Sequence, residues 1–474
     1  MKTKVAIYKQ HSLRYSNRPP YSPPAIFPEY PFEDKRVDAE NEAYFSLREL
    51  FKMLDLDSEN FGKKHWNPLS FLVSPGQTVL LKPNLMRHFA DKGATNKLIT
   101  HGSIIRAIAD YVYIALKGKG RIIIADGPMD EGDFGKIRRI AGLDKIERFY
   151  SESADFDIEV YDLRQEQVFK KGNEIIRRIK LPGDPAGYTA VDLSKESKFK
   201  NDSLDYTTFK GSECISSIMN AHHNDKKNEY LISNTLLNAD VVINIPKLKT
   251  HNKAGVTLAL KNMVGITGDR NWLPHFKYVS SKSPCTDALS GHRVRTGYGQ
   301  LTKLTNKGVM KYLKDKIKEV RGLRDSDIKK GNWYGNDIIW RTILDLLQIV
   351  MYADKKGKVR EKAQRKSFFI VDGIVGGEGD GPMNPDPKPC GVLIAGFDGP
   401  CVDMAAARLM GFDPMRIPQL KNSSSNDSNN VYKDIKAVSN LRDWNGFLSQ
   451  FKGRCLGFKP FYGWRHHIEV RDGE

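Results

Sequence analysis

Two lysines, a threonine and a histidine fall within Lys247–His251, the KLKTH of DVVINIPKLKTHNKAGVTLALKNMVG, and another lysine follows at Lys261. The segment comes directly after the apolar run Asp240–Ile245 and leads into a helical pattern that starts near Ala254. On that helix Val256, Leu260 and Val264 share one face, while Thr257 and Lys261 lie one turn apart on another. A helix N-terminus offers unpaired N–H groups and a partial positive charge. Cationic side chains gathered there suit a phosphate or a carboxylate, and a lysine crowded by other cations is driven toward its neutral, nucleophilic or basic form. Lys247 and Lys249, with Thr250, Thr257 and Asn262, are therefore expected to bind an anionic substrate. His251 is expected to move protons, and Lys261 to serve both as an anion contact and as a catalytic amine. The competing structural account is a solvated basic loop in which His251 satisfies a backbone group.

Ligands of open parallel sheets bind beyond the carboxyl ends of the strands, so the ends of the other apolar runs matter too. KPNL adds Lys82 and Asn84 as substrate-binding groups. His101, after Thr100, is a second candidate proton carrier, set against the plainer alternative of a partly exposed helix-start residue. DGP supplies Asp126, and DGIVGGEGDGP (Asp372–Pro382) supplies Asp372, Glu378 and Asp380. That second stretch reads as a glycine-rich loop that approaches a ligand or forms an N–H nest, or equally as a tight multiple turn with surface acids. Asp126, Asp372, Glu378 and Asp380 together could hold a divalent metal such as Mg²⁺ beside substrate oxygens. Asp398 and Asp403 complete the strand-end acids. The glycine-rich stretch lacks the GK[ST] of a Walker loop and is not a GxGxxG opening a helix, and HExxH and GxSxG are absent. His222–His223 and His466–His467 are adjacent pairs whose side chains point apart, which does not suit chelation of one metal.

Positioning these groups requires strands that end where the chemistry begins. Thr78–Leu81, Arg121–Ala125, Asp240–Ile245, Ser367–Val371 and Gly391–Ala395 are short aliphatic runs cut off by polar, Gly or Pro residues, the pattern of buried parallel strands. Helical patterns lie between them. Thr100 is the expected N-cap of a helix through Leu116 closed by Gly118 and Gly120, and Asp403–Met410 is another helix, ended by Gly411. Strands alternating with helices give an α/β fold, a mostly parallel sheet flanked by helices, arranged as two lobes with a cleft. Residues 1–474 are expected to form one α/β unit with its core at about 78–414. Residues 281–365 read as a charged, mainly helical insertion containing the amphipathic Ile338–Met351, and 415–474 as a C-terminal extension that packs on the core.

Composition narrows the function class. Hydrophobic residues at 40% and charged residues at 28% are ordinary for a folded globular chain of 474 residues. No apolar run is long enough to span a bilayer and the first residues do not form a secretory signal, so the expected location is the cytoplasm, without membrane insertion. Five scattered cysteines with no CxxC pair argue against disulfides, structural zinc and an iron–sulfur cluster. A net charge of +18 invites nucleic acid or another polyanion as partner, but the charge is spread along the chain rather than gathered in an arm.

KPNL (Lys82–Leu85), TH (Thr100–His101), DGP (Asp126–Pro128), PKLKTHNKAGVTLALKN (Pro246–Asn262), DGIVGGEGDGP and GFDGPCVDMAAARLMGFDP (Gly396–Pro414) occur in the order seen in the domain of unknown function 362 family, which the chain resembles from about Thr78 to Pro414. Many members of that family carry ferredoxin-like cysteine repeats and an iron–sulfur label; the cysteines are missing here, so the label does not transfer. Pro246–Asn262 is also similar to the PH-x-x-AG-x-SGG-x-K segment of the lactate racemase family, where a lysine and a histidine engage a nickel-pincer nucleotide. Ala254–Gly255 and Lys261 match; the PH dipeptide and the SGG do not. That likeness implies a two-lobed α/β enzyme acting on a small anionic acid or nucleotide. The resulting expectation is an enzyme for a small phosphorylated or carboxylate metabolite, its reaction type open among isomerase, ligase, transferase and oxidoreductase. The alternative is a basic nucleic-acid- or polyanion-binding protein without catalysis.

Overall fold

The computed structural model describes residues 3–34, 36–90, 93–171, 174–200, 204–211, 215–278, 325–424, 428–452 and 455–471. Its centre is a large, mostly parallel sheet. Strands β2 (Thr78–Pro83), β3 (Arg121–Asp126) and β4 (Ile158–Asp162) run outward to one edge. On the other side of β2 lie β10 (Val241–Ile245), β14 (Lys366–Asp380), β15 (Asn384–Gly396), β1 (Lys4–Lys9), β16 (Lys436–Ser439) and β17 (Gly446–Phe447), in that spatial order. The pairs from β4 to β14 are all parallel, whereas β15 runs antiparallel to both β14 and β1. The expectation of a parallel strand at Gly391–Ala395 is thus corrected. The link between β14 and β15 is three residues, too short for the crossover that a parallel pair needs.

Both faces of this sheet are covered, which is why its strands read as unbroken aliphatic runs. Leu80, Ile123, Val242, Phe369 and Ile394 point into one core, and Val79, Leu81, Ile122, Ile124, Ile243, Phe368 and Ile370 into the other. The helix Gly102–Leu116 packs on the second face. Its N-cap is His101 rather than Thr100: His101 Nδ1 accepts from Ser103 N–H, while the Thr100 hydroxyl donates to Ile245 O and accepts from Asn84 N–H. Thr100 is spent on tying β2 to β10 and is not free to cap. The helix Gly399–Met410 starts at the N-cap Asp398, has proline in its first turn and ends at left-handed Gly411.

Three small ribbons flank the sheet: β5 (Glu166–Lys171) with β6 (Glu174–Lys180), β7 (Tyr188–Asp192) with β9 (Glu229–Ser233), and β8 (Phe209–Lys210) with β13 (Phe276–Lys277). Of the stretch 281–365, residues 281–324 lie outside the described part of the chain. Its remainder holds the helices Asp325–Lys329 and Ile339–Tyr352, the latter burying Ile339, Ile343, Leu346, Ile349 and Val350. No helix among the described residues is long and apolar enough to cross a membrane.

Candidate functional site

The spatial strand order reverses its sequence direction between β2 and β10, a switch point of the kind where doubly wound sheets leave a crevice at their carboxyl ends. Chain continuity makes this crevice polar. Pro246 ends β10, and Lys247–His251 is not a loop but a strand, β11, parallel to β14 and antiparallel to β12 (Gly255–Val256). The long helix expected from Ala254 is also corrected: a helix of five residues, Leu258–Asn262, follows. Two of the amides at its start are already taken: Ala259 and Leu260 N–H donate to the two oxygens of Asp403 at 2.7 and 2.8 Å. Those two bonds hold Leu258 in a left-handed conformation (φ 49°), a strain worth roughly 1–2 kcal/mol for a residue with a side chain.

A cleft of about 650 Å³ opens at these strand ends. Of the residues singled out in the sequence, Asn84, Asp126, Lys249, His251, Thr257, Lys261 and Asn262 line it. A chain of hydrogen bonds crosses its floor from β2 to β10. Lys249 Nζ donates to Asn84 Oδ1 (2.9 Å), Asn84 Nδ2 to Asn262 Oδ1 (2.8 Å), Asn262 Nδ2 to Asn244 Oδ1 (2.7 Å) and Asn244 Nδ2 to Ala259 O (2.8 Å). Each amide is thereby fixed in orientation. The Thr257 hydroxyl also lines the cleft, buried and without a hydrogen-bond partner among the described residues.

Cations dominate the walls. Lys249 donates otherwise to Leu98 O, and Lys253 donates to Lys330 O and to Asn332 Oδ1 (2.8 Å); neither meets a carboxylate in these bonds. Lys261 Nζ has no hydrogen bond or ion pair among the described residues. Arg270 donates to Gly127 O and Pro128 O and pairs with Asp130 at 3.1 Å. Burial, reinforced by neighbouring positive charge, drives the lysines toward neutrality. Lys261 is pulled down to about 7, first by desolvation and then by Arg270, Lys253 and Lys82, with Asp126 opposing. Lys253 is also held at about 7, by desolvation and then Lys330, and Lys249 lies well below the ordinary lysine range for want of solvent and because of Lys247 and Lys261.

The two cleft histidines have opposite, structurally fixed tautomers. His251 Nδ1 accepts from the backbone N–H of Lys253 (3.0 Å) and Ala254 (3.3 Å), so its proton sits on Nε2. His275 Nδ1 lies 2.8 Å from Leu273 O, which only accepts, so its proton sits on Nδ1 and Nε2 carries a lone pair. Desolvation and the charge of Lys261 keep both imidazoles neutral, well below their usual range. His275, Lys253 and Arg270 were not singled out in the sequence. Lys253 lies inside Lys247–Asn262, and Arg270 and His275 follow it by 8 and 13 residues; that closeness in sequence is their one local signal.

Other candidates lie elsewhere. Lys247 Nζ is 3.0 Å from Asp372 and 2.6 Å from the Tyr15 hydroxyl, and Tyr15 donates to Asp372 at 2.6 Å, all in a buried cluster that does not line the cleft. His101 belongs to that cluster, its ring stacked on Tyr15 with centroids 4.2 Å apart and its backbone N–H donating to Asp372; burial lowers the imidazole to about 4. Lys82 is buried beneath the cleft against Asp126 at 2.5 Å. Thr250 bonds Gly379 O, and Glu378 pairs with Lys388 at 3.0 Å. Asp380 is exposed.

The four acids considered for a metal are thus not brought together, and among the described residues no group of three or more His, Cys, Asp or Glu is arranged to hold one. The glycine-rich stretch is likewise strand, not loop. A side chain at Gly373 would meet Val392 and Leu248 within 3.0 Å, and one at Gly376 would meet the Phe458 ring at 2.7 Å, so glycine there permits close crossing of chains.

Residues 187–408 match the model of the family described as Domain of unknown function (DUF362). Over 200 residues the chain is 22% identical to the thylakoid-associated protein sll1697 of Synechocystis sp. (strain ATCC 27184 / PCC 6803 / Kazusa), a match spanning 42% of this chain and 41% of that protein. No solved structure matches. The family region contains Lys249, His251, Lys261, His275 and Asp403, while Asn84 and Asp126 reach the cleft from outside it.

Proposed function

From a chain whose residues 187–408 carry a domain of unknown function 362, we propose an enzyme that binds a small phosphorylated or carboxylate metabolite in the cleft between β2 and β10. The observation that carries the proposal is the meeting of Lys249, Lys253 and Lys261 with Arg270, His251 and His275 around one cavity, where the bonds of Lys249 and Lys253 go to uncharged acceptors and Lys261 has no partner among the described residues. Buried cations without counterions are costly, and an anionic ligand relieves that cost. Lys261 and Thr257 are its free contacts, and the histidines supply one donor and one acceptor for proton movement. A divalent metal is not part of the proposal, since Asp126, Asp372 and Glu378 each have a lysine partner. A cytoplasmic location goes with it.

Titration calorimetry of the whole chain with orthophosphate and with glycolate tests the reading. Saturable binding of one site is expected, strongly weakened by Lys261→Met with the fold intact. If neither anion binds at millimolar concentration, or if the variant binds as well as the parent, the proposal falls. The polyanion alternative predicts instead tight binding to single-stranded DNA with a steep salt dependence that Lys261→Met leaves unchanged.

A further inference from the structure

The anion that fills the cleft has to bring something besides charge. Its walls are rich in donors: the lysine ammonium groups, Arg270, and the Nε2–H of His251, whose Nδ1 is already engaged by two backbone amides. Against these stands an acceptor of a different kind. His275 spends its only proton on Leu273 O, so the Nε2 it presents is a bare lone pair beside Lys261, Lys253 and Arg270. The imidazole cannot turn over to offer N–H without giving up the bond to Leu273 O. The residue is buried, 7% exposed, so solvent only partly compensates. Resting on the proposed anion site, we infer that its ligand carries a hydrogen-bond donor next to the negative group, a hydroxyl or an acid proton, which His275 Nε2 accepts while His251 Nε2–H and Lys261 hold the anionic oxygens.

A site with a buried acceptor rejects an analogue that cannot donate to it, because the acceptor is then left unpaired. Two pairs of probes isolate this feature at nearly constant charge and size. Orthophosphate retains a P–OH near neutral pH where sulfate has none, and glycolate has the hydroxyl that acetate lacks. The expected result is that the parent protein prefers the donating member of each pair by roughly ten- to a hundredfold.

Two substitutions separate the roles. His275→Phe keeps the ring while deleting the lone pair, together with the donor to Leu273 O, and should bring both ratios near one in the folded protein. His251→Asn keeps an acceptor for the Lys253 and Ala254 amides while deleting the Nε2–H, and should weaken both members of each pair without changing their ratio.

Equal binding within the pairs by the parent protein, a comparison that needs no variant, overturns the inference and leaves the anion site standing. So does a preference that survives His275→Phe. Failure of all four probes to bind the parent overturns the anion site, and this inference with it.

Discussion

Raising the pH through neutrality should empty the cleft of a simple carboxylate, and Lys261 is the reason. Its ammonium group is held at about 7 by desolvation and by Arg270, Lys253 and Lys82, with no partner of its own. If an anion binds only to the charged form, the free protein must first be protonated, so affinity is highest below about pH 7 and falls as the pH rises past it. For a single group at about 7, the dissociation constant should rise roughly 30-fold between about pH 6 and pH 8.5. Glycolate is the suitable probe, because its own charge is constant over that range. Lys261→Met removes a charge-assisted hydrogen bond worth about 1.5–3 kcal/mol, or roughly 10- to 150-fold in affinity near pH 6. At about pH 8.5 the lysine is already mostly neutral, and the same substitution should cost little. Titration calorimetry of parent and variant across the range reads both effects: a steep curve for the parent, a flattened one for the variant, and convergence at high pH. Parallel curves, or a parent whose affinity does not change with pH, would refute the assignment of Lys261 as the free anion contact.

Further expectations concern the scaffold of the site. Gly265→Ala would put a Cβ 1.9 Å from Asp126 Oδ1 and 3.0 Å from Lys82 Nζ, so urea unfolding should show a loss of at least about 1–3 kcal/mol as that buried pair is pushed apart. Asp403→Asn leaves one of the Ala259 and Leu260 amides without an acceptor, and should cost about 1–3 kcal/mol in the same assay while releasing the strain at Leu258; an unchanged midpoint would sink that role. Asp372→Ala strands Lys247 in the buried Tyr15 cluster and should destabilise by about 3–5 kcal/mol, yet glycolate affinity measured on the folded fraction should hold, since that cluster does not line the cleft. His101 and His223 are both lowered to about 4 by burial, so between pH 6.5 and 4 the unfolded chain binds more protons than the native one. Stability should be full above about 6.5 and fall toward 4 by up to on the order of 3 kcal/mol per histidine; a His223→Gln variant with an equally steep acid decline would contradict this.

Local chemistry was legible in the chain itself. Aliphatic runs cut off at KPNL, DGP and PKLKTH declare strands buried on both faces, because only a strand with no wet face dispenses with alternation. The helix from Asp398 to Gly411 is marked by its own capping residues, and the clustering of Lys249, His251, Lys261 and Asn262 follows from their closeness in sequence. Only tertiary structure decided which charges share a space. Lys247, Lys249 and His251 alternate and would point the same way from a regular strand, but the register between β11 and β14 slips between Lys247 and Lys249. The extra residues lie on β14, which sets Lys247 opposite Asp372 and Lys249 opposite Gly377; Lys247 bonds Asp372 and Tyr15, while Lys249 and His251 line the cleft. Tyr15, 232 residues before Lys247, is not signalled by any local pattern. Nor could spacing show that Asp403 closes the helix N-terminus at Leu258–Asn262, or that His275 lines the cleft with Lys261. Both depend on segments far apart in the chain meeting, which happens only when the sheet brings β2, β10 and the helix Gly399–Met410 together.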